Sequence, residues 1–97
     1  MRMFNQVVFF LEDESSVNEM EVVLRTLAQA FPDEPSISHA RVASGRHLPM
    51  PMVTIPVPVD RADAITERLD LEMSKKGLKM ADKAARDRAS ARRKEQG

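Results

Sequence analysis

The alternation of hydrophobic and polar positions predicts a β-α-β-β-α order for most of the chain. Residues 3–11 are apolar on both parities, which is typical of a strand covered on at least one face. Residues 17–31 carry apolar side chains at helical spacing, and Pro32 cannot continue that helix. Ser16 followed by Glu19 predicts a capping box at the start of this first helix.

Residues 37–44 have the mixed polarity of a second strand and lead into the segment HLPMPMVTIPVPVD, residues 47–60. Apolar side chains recur there with a period of two, which predicts a strand from Met52 onward, and none of the four prolines of this segment have the spacing of a PxxP ligand. Pro56 and Pro58 remove N–H donors from the same side of this strand, which predicts a sheet edge. The second strand would then lie between it and the first strand, although the apolar first strand is also a candidate for the centre.

Asp60 is predicted to cap a second helix. Its apolar stripe comprises Ala62, Ile65, Leu69 and Met73. Two endings stay open for this helix. It stops at Gly77, or it continues in phase through Met80 and Ala84 at a cost of about 1 kcal/mol for the glycine.

The predicted fold class is α+β, a two-layer β-α-β-β-α arrangement with a three-stranded sheet and two helices on one face. Residues 1–77 form the predicted compact domain, and residues 78–97 form a basic C-terminal extension that is either helical or disordered. A hydrophobic content of 42% in 97 residues is enough for one modest core.

The formal net charge of zero conceals a division of the chain into an acidic body and a basic end. Residues 1–74 contain 6 Lys and Arg against 12 Asp and Glu, and residues 75–97 contain 9 against 3. The candidate phosphate contacts are Lys75, Lys76, Lys79, Lys83, Arg86, Arg88, Arg92, Arg93 and Lys94. No aromatic residue lies among them, so nucleic-acid binding through this end would be weakly sequence-specific. The alternative is a solvated end, or one that contacts the acidic body of the same or a second copy.

The residues that carry chemistry in other proteins are sparse in this chain. There is no cysteine, and the spacing of His39 and His47 matches no common zinc motif. No catalytic, cofactor or metal arrangement is suggested by spacing, so we expect a protein that is not an enzyme. The apolar run at residues 7–11 is too short for a signal sequence or a membrane span, which favours a cytoplasmic location.

These features favour a small protein-binding module, a regulator or an inhibitor, that also forms a homo-oligomer through its unequal charge distribution. Met50, Met52 and Met80 are the candidate protein contacts, since methionine adapts to varied surfaces. The nucleic-acid accessory function of the basic end is the alternative.

The stretch AFPD, residues 30–33, and the β-α-β-β-α order resemble the DinI-like family of damage-inducible regulators of the recombinase RecA. The resemblance covers residues 7–73 and implies a first helix that ends at the Phe-Pro-Asp stop before the second strand. It also implies a role in regulating RecA through the second helix. In that family the second helix is strongly acidic and ends in aromatic and acidic residues, whereas here a basic segment without aromatics follows residues 60–76.

Overall fold

The computed structural model describes residues 2–45 and 47–81, and it confirms the α+β fold with β-α-β-β-α order. The strands are β1 (Phe4–Phe10), β2 (Arg41–Ala43) and β3 (Met52–Pro58), and the helices are α1 (Val17–Ala30) and α2 (Ala62–Lys75). Short 3₁₀ helices at Glu14–Ser16, Pro35–His39 and Val59–Arg61 connect them. Residues 82–97, most of the predicted basic extension, lie outside the described residues.

The core lies between the sheet and the two helices. The strands contribute the side chains of Val7, Phe9, Leu11, Val53, Ile55 and Val57. The helices contribute Met20, Val23, Leu24 and Leu27 from α1 and Ile65, Leu69 and Met73 from α2. The core residues of β1 and β3 are odd-numbered, and Val42 of β2 lies opposite Val53, so these side chains share one side of the pleat. Both helices therefore cover the same face of the sheet.

The strand order is β1-β3-β2, with both pairs antiparallel, so the prediction that β3 is an edge strand was wrong. The placement of β2 at the centre was wrong for the same reason, and β1 also lies at an edge. Regular pairing of β3 does begin at Met52, as the prolines before it suggested.

The two prolines of β3 are accommodated because β2 is short. Val59 N–H donates to Met3 C=O at 3.0 Å and Leu11 N–H donates to Pro51 C=O at 2.9 Å, so odd-numbered residues of β3 face β1. The even-numbered residues face the other side, where β2 reaches only as far as Thr54. Beyond that point no described strand pairs with β3 on that side, so the donors missing from Pro56 and Pro58 leave no described ladder incomplete.

Residues 37–39 do not belong to the second strand as predicted but to the 3₁₀ helix Pro35–His39. Pro35 occupies the first turn, where its missing N–H costs nothing, and Ser38 Oγ donates to its carbonyl at 2.6 Å. The side chain of Ile37 is buried in the core. This turn therefore fills the space beside β3 that a longer β2 would occupy.

The starts of both helices differ from expectation, whereas the end of α2 agrees with one of the two alternatives. Asp60 does not cap α2, because it lies in the 3₁₀ turn Val59–Arg61, and Arg61 precedes the helix without a side-chain capping bond. The Ser16 side chain makes no capping bond; instead the Asp13 carboxylate accepts from Ser15 N–H at 3.0 Å and caps the preceding 3₁₀ turn. At the end of α2, Gly77 has a φ of 67°, and Leu78 N–H donates to Met73 C=O at 3.0 Å. That is a Schellman motif, so α2 stops at the glycine rather than continuing through it.

We expect proline to be tolerated in β3 only where β2 is absent. Thr54→Pro removes a donor on the side that β2 pairs with and should lower the free energy of unfolding by more than about 2 kcal/mol. Pro56→Thr adds a donor on the same side beyond β2 and should change stability by less than about 1 kcal/mol. Urea denaturation of the two variants measures this, and equal losses would contradict the pairing.

Candidate functional site

The face of the sheet opposite the helices is the first candidate for function, and we call it the open face. It comprises the side chains of Phe4, Gln6, Val8 and Phe10 from β1 and of Met52, Thr54, Pro56 and Pro58 from β3. A solvated face of an antiparallel sheet is usually polar, but here only one residue on each of these strands is. Phe4 and Val8 are half-exposed. A contiguous apolar surface of this kind is a mark of an interaction site.

Two of the three methionines predicted as protein contacts lie at one end of the open face, and the third, Met80, lies beside the outer edge of β1 opposite the core residue Leu11. Met52 lies on the face itself as the cross-strand neighbour of Phe10. Met80 forms an isolated antiparallel bridge with Leu11 and keeps 41% of its surface exposed. Met50 is only 7% exposed and packs with Phe10, so it supports this end of the face rather than presenting a contact.

Sequence reasoning missed Phe4 and Val8, the most exposed large apolar side chains of β1 on the open face. The signal was present, because residues 3–11 are apolar on both parities. This pattern was interpreted as a strand that other elements of the same chain cover. The described residues supply that cover on one face of β1 only.

The second candidate is a groove between α1 and β2 with a volume of about 620 Å³. Its apolar residues are Leu24, Ala28, Ile37, Ala40 and Val42, and its polar residues are Glu21, Arg25, Gln29, Ser38 and Arg41. Helix α1 and the outermost strand of the sheet form opposite walls. The groove therefore combines apolar surface with charge at the edge of the sheet.

The basic residues predicted to contact nucleic acid are only partly within the described chain. Lys75 Nζ lies 3.2 Å from Glu72 Oε1 and Lys76 Nζ lies 3.3 Å from Glu19 Oε2, so two of the nine are engaged with the body. Lys79 is exposed. The other six candidates lie outside the described residues, and their role stays a prediction.

Residues 78–81 of the predicted extension pack on the body. Leu78 contacts the core, and Ala81 N–H donates to Phe10 C=O at 2.7 Å beside the Leu11–Met80 bridge. These contacts lie along the outer edge of β1 at the methionine end of the open face. A test of the basic end should therefore keep the chain intact as far as Ala81.

An ion-pair cluster around Glu34 fixes the opposite end of the open face. The Glu34 side chain is 2% exposed and accepts from Arg2 at 2.6 and 3.0 Å and from Arg61 at 3.0 Å. Arg61 also lies 2.7 Å from Asp33 Oδ2, and its guanidinium carbon is 5.1 Å from the centre of the Phe31 ring. The cluster joins Arg2, two residues before β1, to the loop after α1 and to the 3₁₀ turn before α2.

The hydrogen bonds from Arg2, followed by the weaker contribution of Arg61, hold the pKa of Glu34 below its ordinary value of 4.5 in spite of burial. Arg2 similarly lowers the pKa of Asp60, whose Oδ1 accepts from Arg2 Nε at 3.2 Å. Two guanidinium groups therefore compensate the carboxylates that they meet. The cluster therefore has the character of a structural ion-pair network that connects three segments of the chain, and it offers no free acid or base for catalysis.

Other chemistry has little support in the part of the chain that the structure describes. No group of three or more His, Cys, Asp and Glu side chains there could hold a metal ion, and His39 and His47 are both exposed. Neither α1 nor α2, the two α-helices among those residues, is long and apolar enough to cross a membrane.

Comparison with protein families, characterised proteins and solved structures gave no match for this chain. The DinI-like resemblance therefore rests on the AFPD stop and the order of elements alone and stays a prediction.

We expect the Glu34 cluster to make stability depend on pH in the acid range. Because the pKa of Glu34 is lower in the folded than in the unfolded chain, its contribution is complete above pH 4.5 and is lost as the pH falls through the depressed folded value. Glu34→Gln should therefore be less stable than the wild type at neutral pH, and the difference should shrink on acidification. Urea unfolding at several pH values measures it.

Glu67→Gln is the matched control for that measurement, since Glu67 is exposed on α2 and makes no ion pair with any described residue. We expect this control to change stability little and by a similar amount at every pH. A Glu34→Gln deficit that persists undiminished in acid would contradict the assignment of the ion pairs.

We expect the nucleic-acid alternative to depend on residues 82–97. Anisotropy of a labelled generic duplex and of a single strand, measured across a salt series, compares the full chain with a variant ending at Ala81. Salt-steep binding that disappears in the shortened variant would support phosphate contacts by the basic end. Absence of binding at low salt, or binding kept by the shortened variant, would contradict them.

Proposed function

We propose that this chain is a small, non-enzymatic protein-binding module that acts as a regulator or inhibitor and self-associates through its open face. The observation that carries the proposal is the apolar, half-exposed surface formed by Phe4 and Val8 on β1 beside Met52 on β3. Exposed apolar surface of this extent costs free energy unless a partner covers it. A sheet also presents such a surface rigidly, which limits the entropy lost on binding.

A second copy of the chain is the occupant that the open face fits best. The even-numbered positions of β1 and β3 include no charged residue, and Arg41 of β2 stands at the margin. Two copies related by a two-fold axis can therefore place these faces together without opposing like charges across the centre. An uncharged apolar surface can therefore pack against an identical copy of itself without electrostatic repulsion.

The rest of the same chain is a poor alternative cover. Residues 82–97 contain four alanines and no larger apolar side chain, against nine charged Lys, Arg, Asp and Glu residues. Such a segment has little apolar surface to bury against phenylalanine, valine and methionine. A second open face provides side chains of the required kind.

The regulatory or inhibitory role is supported by the small number of functional features in the described residues. The described residues form one small core and two surfaces suited to protein contact, and they bring no set of side chains into a catalytic arrangement that we recognise. A domain of this kind exerts an effect by occupying a surface of another protein.

The open face predicts self-association that is insensitive to salt, whereas contact between the basic end and an acidic body predicts association that weakens steeply with salt. The mass of the full chain at low and high salt therefore separates the two modes. A dimer that persists at high salt favours the open face, and one that dissociates favours the charged end.

We expect Val8→Lys to weaken self-association by at least about tenfold, because it places like charges opposite each other at the centre of the buried face. Val8 is 51% exposed, so the folded monomer should tolerate the change. Leu71→Lys is the matched control, since Leu71 is also 51% exposed but lies on α2. Sedimentation velocity over a concentration series measures both.

Equal weakening by the two substitutions would show that general charge, and not the open face, controls association. A wild-type chain that stays monomeric at the highest concentration would remove the second copy as occupant.

A further inference from the structure

The outer edge of β2 exposes backbone groups beside the groove between α1 and β2. Arg41 and Ala43 pair with Thr54 and Met52, and these even-numbered residues of β3 are the ones whose backbone groups face β2. The N–H and C=O groups of Val42, which lies between Arg41 and Ala43, therefore point away from the sheet. No described strand pairs with that edge.

The groove also holds the unpaired arginines of the described chain. Arg2, Arg61 and Arg68 each form ion pairs with carboxylates. Arg25 and Arg41, the two other arginines whose side chains are described, form none with any described residue, and both line the groove. In a body with twice as many acidic as basic residues, two free guanidinium groups at one groove are a specific charge feature.

Apolar surface lies between these charges. Leu24 and Ala28 line the groove from α1, and Val42 lines it from β2. In an added strand, alternate side chains point to the same face. A strand paired with the edge of β2 would thus direct every second side chain toward α1 and the remaining ones away from it.

We propose that the groove between α1 and β2 binds an extended, acidic segment of a partner protein by adding it as a strand to β2. The partner backbone pairs with Val42, and the side chains on the α1 side of the added strand, apolar ones and a carboxylate that meets Arg25, enter the groove. Carboxylates on the other side of the added strand meet Arg41, whose side chain shares the face of its cross-strand partner Thr54. This is strand addition at a sheet edge, in which main-chain hydrogen bonds give affinity and side-chain pockets give selectivity. The proposal gives the protein-binding function a partner class but uses a different surface from the open face.

Charge complementarity selects this occupant over a basic segment or a second copy of the groove. A basic segment would place like charges against Arg25 and Arg41, which outnumber Glu21, the acidic residue that lines the groove. A second copy would bring the same two arginines across a two-fold axis. Because β2 has only three residues, few main-chain bonds are available, and the carboxylate contacts must supply much of the affinity.

The test uses short, labelled peptides, blocked at both ends, in which pairs of leucines alternate with pairs of glutamates or of lysines, so that each face of an added strand carries apolar and charged side chains. We expect the glutamate peptide to bind the full chain in an anisotropy titration and the lysine peptide not to bind. Replacing both groove arginines, Arg25→Gln with Arg41→Gln, should weaken binding of the glutamate peptide by about tenfold or more. Arg68→Gln removes a similar charge from α2, where Arg68 pairs with Glu72, and should leave binding unchanged.

Val42→Pro tests the strand addition itself. It deletes an N–H that points away from β3, so it should abolish binding while the bonds between β2 and β3 remain. Circular dichroism and thermal melting verify that this variant folds. If it does not fold, the test of the proposal is the effect of the groove arginine variants on peptide binding.

Equal binding of both peptides, or binding that the groove arginine variants leave unchanged, would overturn the proposal, as would no binding by the wild type. These outcomes leave the open face untouched, because its test is the mass of Val8→Lys against Leu71→Lys. A wild-type chain that stays monomeric at the highest concentration but binds the glutamate peptide would conversely remove the open-face proposal alone.

Discussion

The arrangement of this small fold depends on the two prolines of β3. Their missing N–H groups lie on the side of the strand that faces β2, so the β2 ladder can extend only as far as Thr54. The chain before β2 forms the 3₁₀ helix Pro35–His39 instead of a longer strand, and that helix packs against β3. A short outer strand beside α1 leaves the groove open. The groove is thus a consequence of the same constraint that limits the sheet.

The second consequence is geometric. A sheet of three strands with both helices on one face can bury only one set of its side chains within the same chain, and β1 is apolar on both parities. The open face is what remains. The Glu34 cluster fixes the backbone at one end of this face, and the Leu11–Met80 bridge fixes it at the other. The open face is therefore held at both ends, which would lower the entropy lost in the proposed self-association.

The sequence predicted the elements better than their neighbours in space. Helical spacing, the period of two in β3 and the stop at Gly77 are local signals, and each appears in the structure. The parity of Pro56 and Pro58 identified the side of the strand that lacks donors, but it could not reveal that the neighbouring strand on that side ends early. Arg2 and Glu34 lie 32 residues apart, and no local pattern connects them. The open face could not be predicted for a related reason. An apolar side chain indicates that a surface is favourably buried, but not whether the same chain or a second one covers it.

The two surfaces lie on different sides of the sheet, which matters for how the molecule can act. The groove is bounded by α1, on the helical side, whereas Phe4 and Val8 point to the opposite side. Packing of two open faces would therefore leave both grooves accessible, and a dimer would present two sites for acidic segments. A partner with two such segments would gain avidity without any new contact. The apolar contact would persist at high salt while the arginine contacts weaken, so ionic strength would change partner binding without dissociating the dimer.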